Sequence, residues 1–458
     1  MKIDTQLKLE DLKAPIERFW DLSGKKILAI EKNFDPSKGA PVITVNGKYT
    51  TRGWTEWTQG FQFGSSLLQY DATGETNFLT AAKKNIIERM APHLTHAGVH
   101  DHGFNNISTY GNLLRLMKEG KVESNTTERN LYELALKVSG AVQAMRWTTL
   151  PTGGYIYSFN GPQSLFVDTV RSCRILLVSH ALGHVLQGEN DVRINLFERA
   201  VQHLISTATY SVFYGEGRDI YDVRGRTAHE CIFNVEDGNY RCPNSQQGYT
   251  GFSTWTRGLA WAVCGFAESL EYFGAMKAED FPSSIDKNDV IKKLERGAMA
   301  TADYFIEQTA EDGIPYWDTG APGLGMLHDY LNKPSNPYND YEPVDSSAAA
   351  IAAQGLLRLG NYLQQSNAKQ AAYYLQAGLT TSRTLLSDVY LSTDTHHEGL
   401  ILHSVYHRPN GWDNIPAGRR VPCDESSMWG DYHARELILY LTKQLKNETY
   451  YMFLNPEN

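Results

Sequence analysis

The chain has 458 residues, 41% of them hydrophobic, and a formal net charge of -9. That length suggests two or three domains unless the chain closes into one large toroid or barrel, and the apolar content is ample for a core. An acidic balance with no basic field excludes a protein that wraps nucleic acid, which needs clustered Lys and Arg.

The chain begins MKIDTQLKLEDLKAPIERF, which has no signal-peptide hydrophobic core. No apolar run reaches membrane-spanning length. The five cysteines, Cys173, Cys231, Cys242, Cys264 and Cys423, are dispersed and lack CxxC spacing, which argues against a disulfide framework or a zinc ribbon. A reducing cytoplasm is the expectation, or the periplasm if a signal peptide has been removed. No membrane partner is expected.

In chain order, apolar residues recur at helical spacing near 9–23, 60–71, 75–92, 107–119, 124–146, 166–186, 190–209, 255–273, 286–309, 345–363, 366–386 and 428–444. Ser346 and Ser347 stand as start signals and Gly360 as a stop for one of them. Asp424 and Glu425 place negative charge before the last. Between the segments lie long loops, 149–165, 213–254, 311–344 and 388–427, rich in Gly, Pro, Asn and aromatics. Long ordered loops usually carry function. Twelve helices in antiparallel pairs, with elaborated loops at one end, predict an all-α (α/α)6 toroid. An irregular bundle or a solenoid is the alternative, since the pairs are too dissimilar to prove a repeat. No linker divides residues 1–458, so a single catalytic domain is expected.

Two carboxylates stand out. Asp101 lies in HAGVHDHGF (96–104), between His100 and His102. It is either functional or a cap for the next helix. Asp168 lies in SLFVDTVRSCRILL (164–177), where a charge is costly unless paired or neutralised. Burial would favour the protonated acid that a proton donor needs. Pairing with Arg171, a turn later, would do the opposite. A third stretch, Gln247 to Phe266, runs from a polar Gly-rich loop into an apolar helix. Arg257 and Trp261, four apart, share a helix face. They suit a ligand with a carboxylate and a flat face, or else form a surface Arg over a core Trp.

His180 and His184 have i,i+4 spacing but no evident third ligand, which favours a structural or surface role over metal binding. Asp318 in IPYWDTGAP and the stretch EGLILHSVYH (398–407) either line a cleft or satisfy buried backbone groups. Gly418-Arg419-Arg420 reads as a solvated loop or an anion contact.

WTQGFQFG (57–64), HDHGF (100–104), the Asp168 helix, QQGY (246–249), STWTRGLAWAVCGFA (253–267), DGIPYWD (312–318), DSSAAAIAAQGLL (345–357), EGLILHSVYH and DESSMWGDY (424–432) occur in this order. Together they resemble the unsaturated glucuronyl hydrolases of glycoside hydrolase family 88, over nearly the whole chain. The resemblance implies an (α/α)6 barrel and hydration of a vinyl ether. The substrate would be a lyase-generated oligosaccharide with a 4,5-unsaturated uronic acid at its non-reducing end. A carboxylic acid protonates carbon 4, water adds at carbon 5, and the hemiketal opens to expel the next sugar. Asp168 matches the acid/base position and Asp101 the second essential aspartate. Trp57, His100, Phe159, His229, Gln247, Arg257 and Trp261 match substrate-binding positions, with Trp57 as a stacking platform and Arg257 as partner of the uronate carboxylate. No metal or organic cofactor is implied, and a monomer or weak homo-oligomer is expected.

The chain departs from the family pattern in TVRSCRILL, where Arg171 could pair with Asp168 or add positive potential for a sulfated substrate. It departs again at Phe159, where Trp is more usual. Candidate parent polymers include chondroitin, hyaluronan, heparin, ulvan, gellan and xanthan. Two other chemistries fit the same fold class: a polysaccharide lyase and a conventional two-carboxylate glycosidase. A non-catalytic sugar-binding protein is a further alternative.

Overall fold

Two kinds of helix alternate along the chain. Thr256–Ala275, Ser346–Leu363 and Met428–Leu445 are buried on almost every face, and a helix of that kind must lie inside a molecule. Lys287–Glu307 and Ala368–Leu385, between them, bury only a stripe, such as Val290, Leu294 and Ala298 in the first. The same alternation runs from the start in this computed structural model, which describes residues 1–53 and 56–448. The inner set also contains Gln59–Thr73, Gly103–Gly111 continued by Asn112–Lys118, and Thr169–Ser172 continued by Arg174–Ala181. The outer set also contains Lys13–Asn33, Thr76–Arg89, Thr126–Met145 and Leu196–Ser206. Each inner helix packs on the next, and Met428–Leu445 returns to Gln59–Thr73. Among the described residues, six inner helices thus close a ring inside six outer ones, the expected (α/α)6 toroid. Residues 54–55 and 449–458 of the expected 1–458 domain lie outside the described residues.

Ring closure depends on close backbone approach, and glycine permits it. A Cβ on Gly103 would lie 1.9 Å from the carbonyl oxygen of Ser172, and one on Gly355 would lie 2.7 Å from Cα of Cys264. Any side chain at either position would force neighbouring inner helices apart.

Several boundaries differ from expectation for local reasons. The first helix runs on to Asn33, well past residue 23. Asp345, not Ser346, caps Ser346–Leu363, accepting from the Ser347 N–H at 3.0 Å. Gly360 does not stop that helix; its bare Cα faces Leu375 and the Ala371 carbonyl of the outer helix. The last helix is capped by the Ser427 side chain. Glu425 instead accepts the Asn46 and Gly47 N–H groups of a β-turn. The inner helix at Gly103–Gly111 is π-wound, with Asn112 N–H donating to the Ile107 carbonyl five residues back, a winding often found at functional sites.

The long loops are not structureless. Trp147–Leu150 pairs with Gly153–Ile156, and Ser164–Phe166, Glu230–Phe233 and Tyr240–Asn244 form a three-stranded antiparallel sheet. This sheet joins the 149–165 and 213–254 loops above one mouth of the ring.

Candidate active site

Asp168 links strand Ser164–Phe166 to inner helix Thr169–Ser172. Its position is fixed on the strand side, where Val167 N–H donates to the His229 carbonyl at 2.9 Å. Asp101 opens the neighbouring inner helix. Its carbonyl accepts the Phe104 and Asn105 N–H groups, so the backbone starts the helix and the carboxylate is not spent as a cap. The Gly103–Ser172 approach brings these two helix starts together.

His100 stands between the two carboxylates. Its Nε2 is 3.8 Å from Asp101 Oδ1 and 3.7 Å from Asp168 Oδ2. One ring nitrogen of His100 and one oxygen of each carboxylate lie within 4.8 Å of one another. The ring is stacked 5.8 Å from Phe159 and edge-on to Phe166 at 5.4 Å. The His100 carbonyl is held by Gln143 Nε2 at 2.8 Å and Ser172 Oγ at 2.6 Å.

The electrostatics correct one expectation. Burial pushes the Asp168 carboxyl up, but the adjacent His100 outweighs burial and holds it below the usual range. Burial raises Asp101, and the charge of Asp168 adds to that despite His100. Burial lowers His100, but the two carboxylates outweigh it and raise the imidazole. Asp168 is therefore not held neutral by burial. Arg171 is not the cause. It is wholly buried beneath the site, bidentate to Glu268 at 3.0 Å for both bonds and 2.6 Å from Glu436. It neither pairs with Asp168 nor reaches solvent.

Trp57, His100, Asp101, Phe159, Asp168, Gln247, Arg257 and Trp261 line one cavity. Trp57 stacks on Trp429 at 5.0 Å, and Trp261 packs on Phe104 at 4.9 Å. Arg257 is held between Trp255 and Trp429, each ring centroid 4.6 Å from its guanidinium carbon, so its aromatic neighbours are these and not the expected Trp261. Arg257 Nη2 donates to Gln247 Oε1 at 3.1 Å and to the Tyr406 carbonyl at 2.6 Å. Asp345 Oδ2 lies 3.6 Å from Arg257 Nε, and neither atom makes a hydrogen bond among the described residues. Burial lowers Arg257 and raises Asp345 by more than their mutual attraction offsets. The guanidinium therefore stands as a desolvated cation facing the cavity.

His229 lies one layer back, its ring against Phe166 at 4.4 Å and Trp255 at 4.6 Å. Its Nδ1 accepts the Gln246 and Gln247 N–H groups at 3.0 and 3.2 Å, so the ring proton sits on Nε2. Burial holds its pKa down at about 3. It fixes the QQGY loop from behind.

Four lining residues were not singled out from the sequence: Phe104, Gln246, Trp255 and Trp412. Tyr406 and His407 come from the EGLILHSVYH stretch, and only that end of it reaches the cavity. Glu398 instead accepts the Tyr49 N–H at 2.9 Å. Asp413 holds the lining segment by accepting the Tyr406 and His407 N–H groups. Trp412 carried a readable signal, an aromatic in a Gly/Pro/Asn-rich loop. Asp318 satisfies backbone groups, accepting Tyr249 N–H and Gly320 N–H at 2.8 Å each. His180 packs on Phe197 at 5.3 Å, and Arg419 lies exposed over the Tyr338 ring at 4.6 Å.

No family model matches the chain. It is 28% identical to the unsaturated glucuronyl hydrolase of Bacillus sp. (strain GL1) over 411 residues, which is 87% of this chain and 89% of that protein. It is 25% identical to an unsaturated chondroitin disaccharide hydrolase of Streptococcus agalactiae serotype III, over 87% of this chain and 85% of that one. A solved unsaturated glucuronyl hydrolase specific for heparin superposes with a TM-score of 0.71 at 19% identity, covering 95% of this chain and 98% of that chain. The chain therefore has the fold of the unsaturated glucuronyl hydrolases and is homologous in sequence to curated members of that group over most of its length.

Proposed function

We propose that this protein is an unsaturated glucuronyl hydrolase, a glycoside hydrolase that removes a 4,5-unsaturated uronic acid from the non-reducing end of lyase-generated acidic oligosaccharides by hydrating the vinyl ether. One observation carries the reading. A carboxylate pair sharing one histidine lies at the ring mouth, in a cavity that also presents a desolvated Arg and several indoles. Arg257 takes the uronate carboxylate, since an anion relieves a buried cation that Asp345 only partly balances. Trp57 and Trp261 offer flat faces to the sugar, with His100, Phe159 and Gln247 completing the pocket and His229 supporting the Gln247 loop from behind. Asp168 transfers the proton to carbon 4 and then accepts one from the attacking water, and Asp101 holds the sugar hydroxyls and tunes its partner.

One oxygen of each carboxylate lies within 4.8 Å of the other, whereas an inverting glycosidase needs about 6.5–9.5 Å to seat its water. That spacing disfavours an inverting two-carboxylate mechanism. We also propose that protons, not a metal ion, occupy the His100–Asp101–Asp168 cluster, and that the chain works as one catalytic domain. All five cysteines are free thiols, which supports a reducing compartment. No helix among the described residues is long and apolar enough to cross a membrane.

The test follows the ultraviolet absorbance of the conjugated double bond with a panel of lyase-generated disaccharides. A fall in absorbance with release of a saturated sugar is expected, and the preferred disaccharide identifies the parent polymer. A rise on intact polysaccharide would make the protein a lyase and overturn the assignment.

A further inference from the structure

Protonating carbon 4 requires a neutral acid at the moment of transfer, yet the surroundings of Asp168 favour its carboxylate. A proton must then be stored within reach. We infer that His100 Nε2 stores the proton that Asp168 delivers to carbon 4, with Asp101 as the second carboxylate clamping the imidazolium; this rests on the hydration reading above.

The geometry places the ring at ion-pairing distance from both acids, and the transfer requires that distance to close to hydrogen-bond length as substrate binds. A single ring nitrogen faces both carboxylates at 3.7 and 3.8 Å. Neither ring nitrogen has a hydrogen-bond partner among the described residues, although both are buried. The ring cannot swing away, because Phe159 and Phe166 hold it and its carbonyl is pinned by Gln143 and Ser172. Beside a neutral imidazole the two buried carboxylates would face each other with no positive charge between them, a costly arrangement in a buried site. An imidazolium resolves it.

The other titratable neighbours do not compete for the proton. Arg146, at the end of helix Thr126–Met145, opposes charge on His100 but is outweighed by the two carboxylates. His203, on helix Leu196–Ser206, and His229, beside the sheet, interact with His100, but burial holds each at about 3, so both stay neutral.

The step balances without a co-reactant. The Nε2 proton moves to Asp168 Oδ2, and the Asp168 acid passes it to carbon 4 as the double-bond electron pair forms the C4–H bond. The positive charge left at carbon 5 is captured by water. The proton lost by that water goes to the Asp168 carboxylate and back to Nε2. One water has been added, and the hemiketal opens.

The test reads the ring directly. Nitrogen-15 NMR of the histidine rings in the full-length wild-type protein, with the His100 signals identified by their absence in His100→Gln, gives the protonation state without turnover. The imidazolium pattern is expected for His100 at neutral pH, and its loss is expected in Asp168→Asn. With a 4,5-unsaturated uronyl disaccharide, His100→Gln should lower kcat tenfold or more and move the alkaline limb of kcat to lower pH. A neutral His100 ring in the free wild-type enzyme would overturn the proposal. So would a His100→Gln pH profile parallel to wild type. Unchanged signals from the other histidines in the variant confirm its fold. Failure of the wild-type protein to consume the double bond would instead sink the hydrolase reading, which the ring measurement does not depend on.

Discussion

Replacing Gly103 with Ala tests how the packing of the ring positions the chemistry. The added Cβ would meet the Ser172 carbonyl oxygen at 1.9 Å, whereas real Cβ contacts essentially never fall below 3.0 Å. The opposing atom is backbone, so the two inner helices must separate by about 1 Å, an overpacking strain of about 1–3 kcal/mol. In a chain of 458 residues the unfolding entropy is large, and each kcal/mol shifts Tm by only about 1 °C. Thermal melting is thus a weak readout. Activity is a strong one, because Asp101 precedes Gly103 by two residues and Asp168 precedes Ser172 by four. A displacement of about 1 Å between reacting groups costs on the order of 100-fold in rate. The expected result is kcat lowered about 100-fold, a Tm within a few degrees of wild type and unchanged circular dichroism. Near-normal kcat in Gly103→Ala would show that ring closure at this contact does not set the carboxylate geometry.

Asp168→Asn should reduce turnover by about 10²–10⁴-fold while still binding a disaccharide in calorimetry, as expected for loss of a general acid and base; normal turnover would remove Asp168 from that role. Arg257→Ala should raise KM at least about tenfold, the value of one charge-assisted contact, and an unchanged KM would count against a uronate contact. Chelation with EDTA should leave turnover intact, whereas loss restored by added divalent cation would place a metal among His100, Asp101 and Asp168. Acid stability should depend on Asp71. Burial raises its carboxyl, but Arg115 at 2.8 Å, Lys443 and Lys121 outweigh that and hold it at about 2. A depressed carboxyl contributes stability above its unfolded pKa and loses it as pH falls, here between about pH 4 and pH 2, a contribution of about 2 kcal/mol. Urea midpoints at pH 5 and pH 3 should therefore differ less in Asp71→Asn than in wild type, and identical slopes would refute the linkage.

The sequence by itself determined the helices, because their periodicity is a local property. All-round burial of Thr256–Ala275 and Ser346–Leu363 follows from strings such as LAWAVCGFA and AAAIAAQGLL. It also marked the loops that carry the cavity, and it supplied Asp101, Asp168 and Arg257 as residues out of keeping with their surroundings. The tertiary structure decided what local pattern cannot encode, namely which charges face one another. Arg171, three residues from Asp168, turns into the core toward Glu268 and Glu436, nearly 100 and more than 260 residues away. His100 is brought against Asp168 across two inner helices instead. That partnership, and with it the ionisation of Asp168, arises only when the ring closes at Gly103, since a pKa is set by neighbours in space and not along the chain.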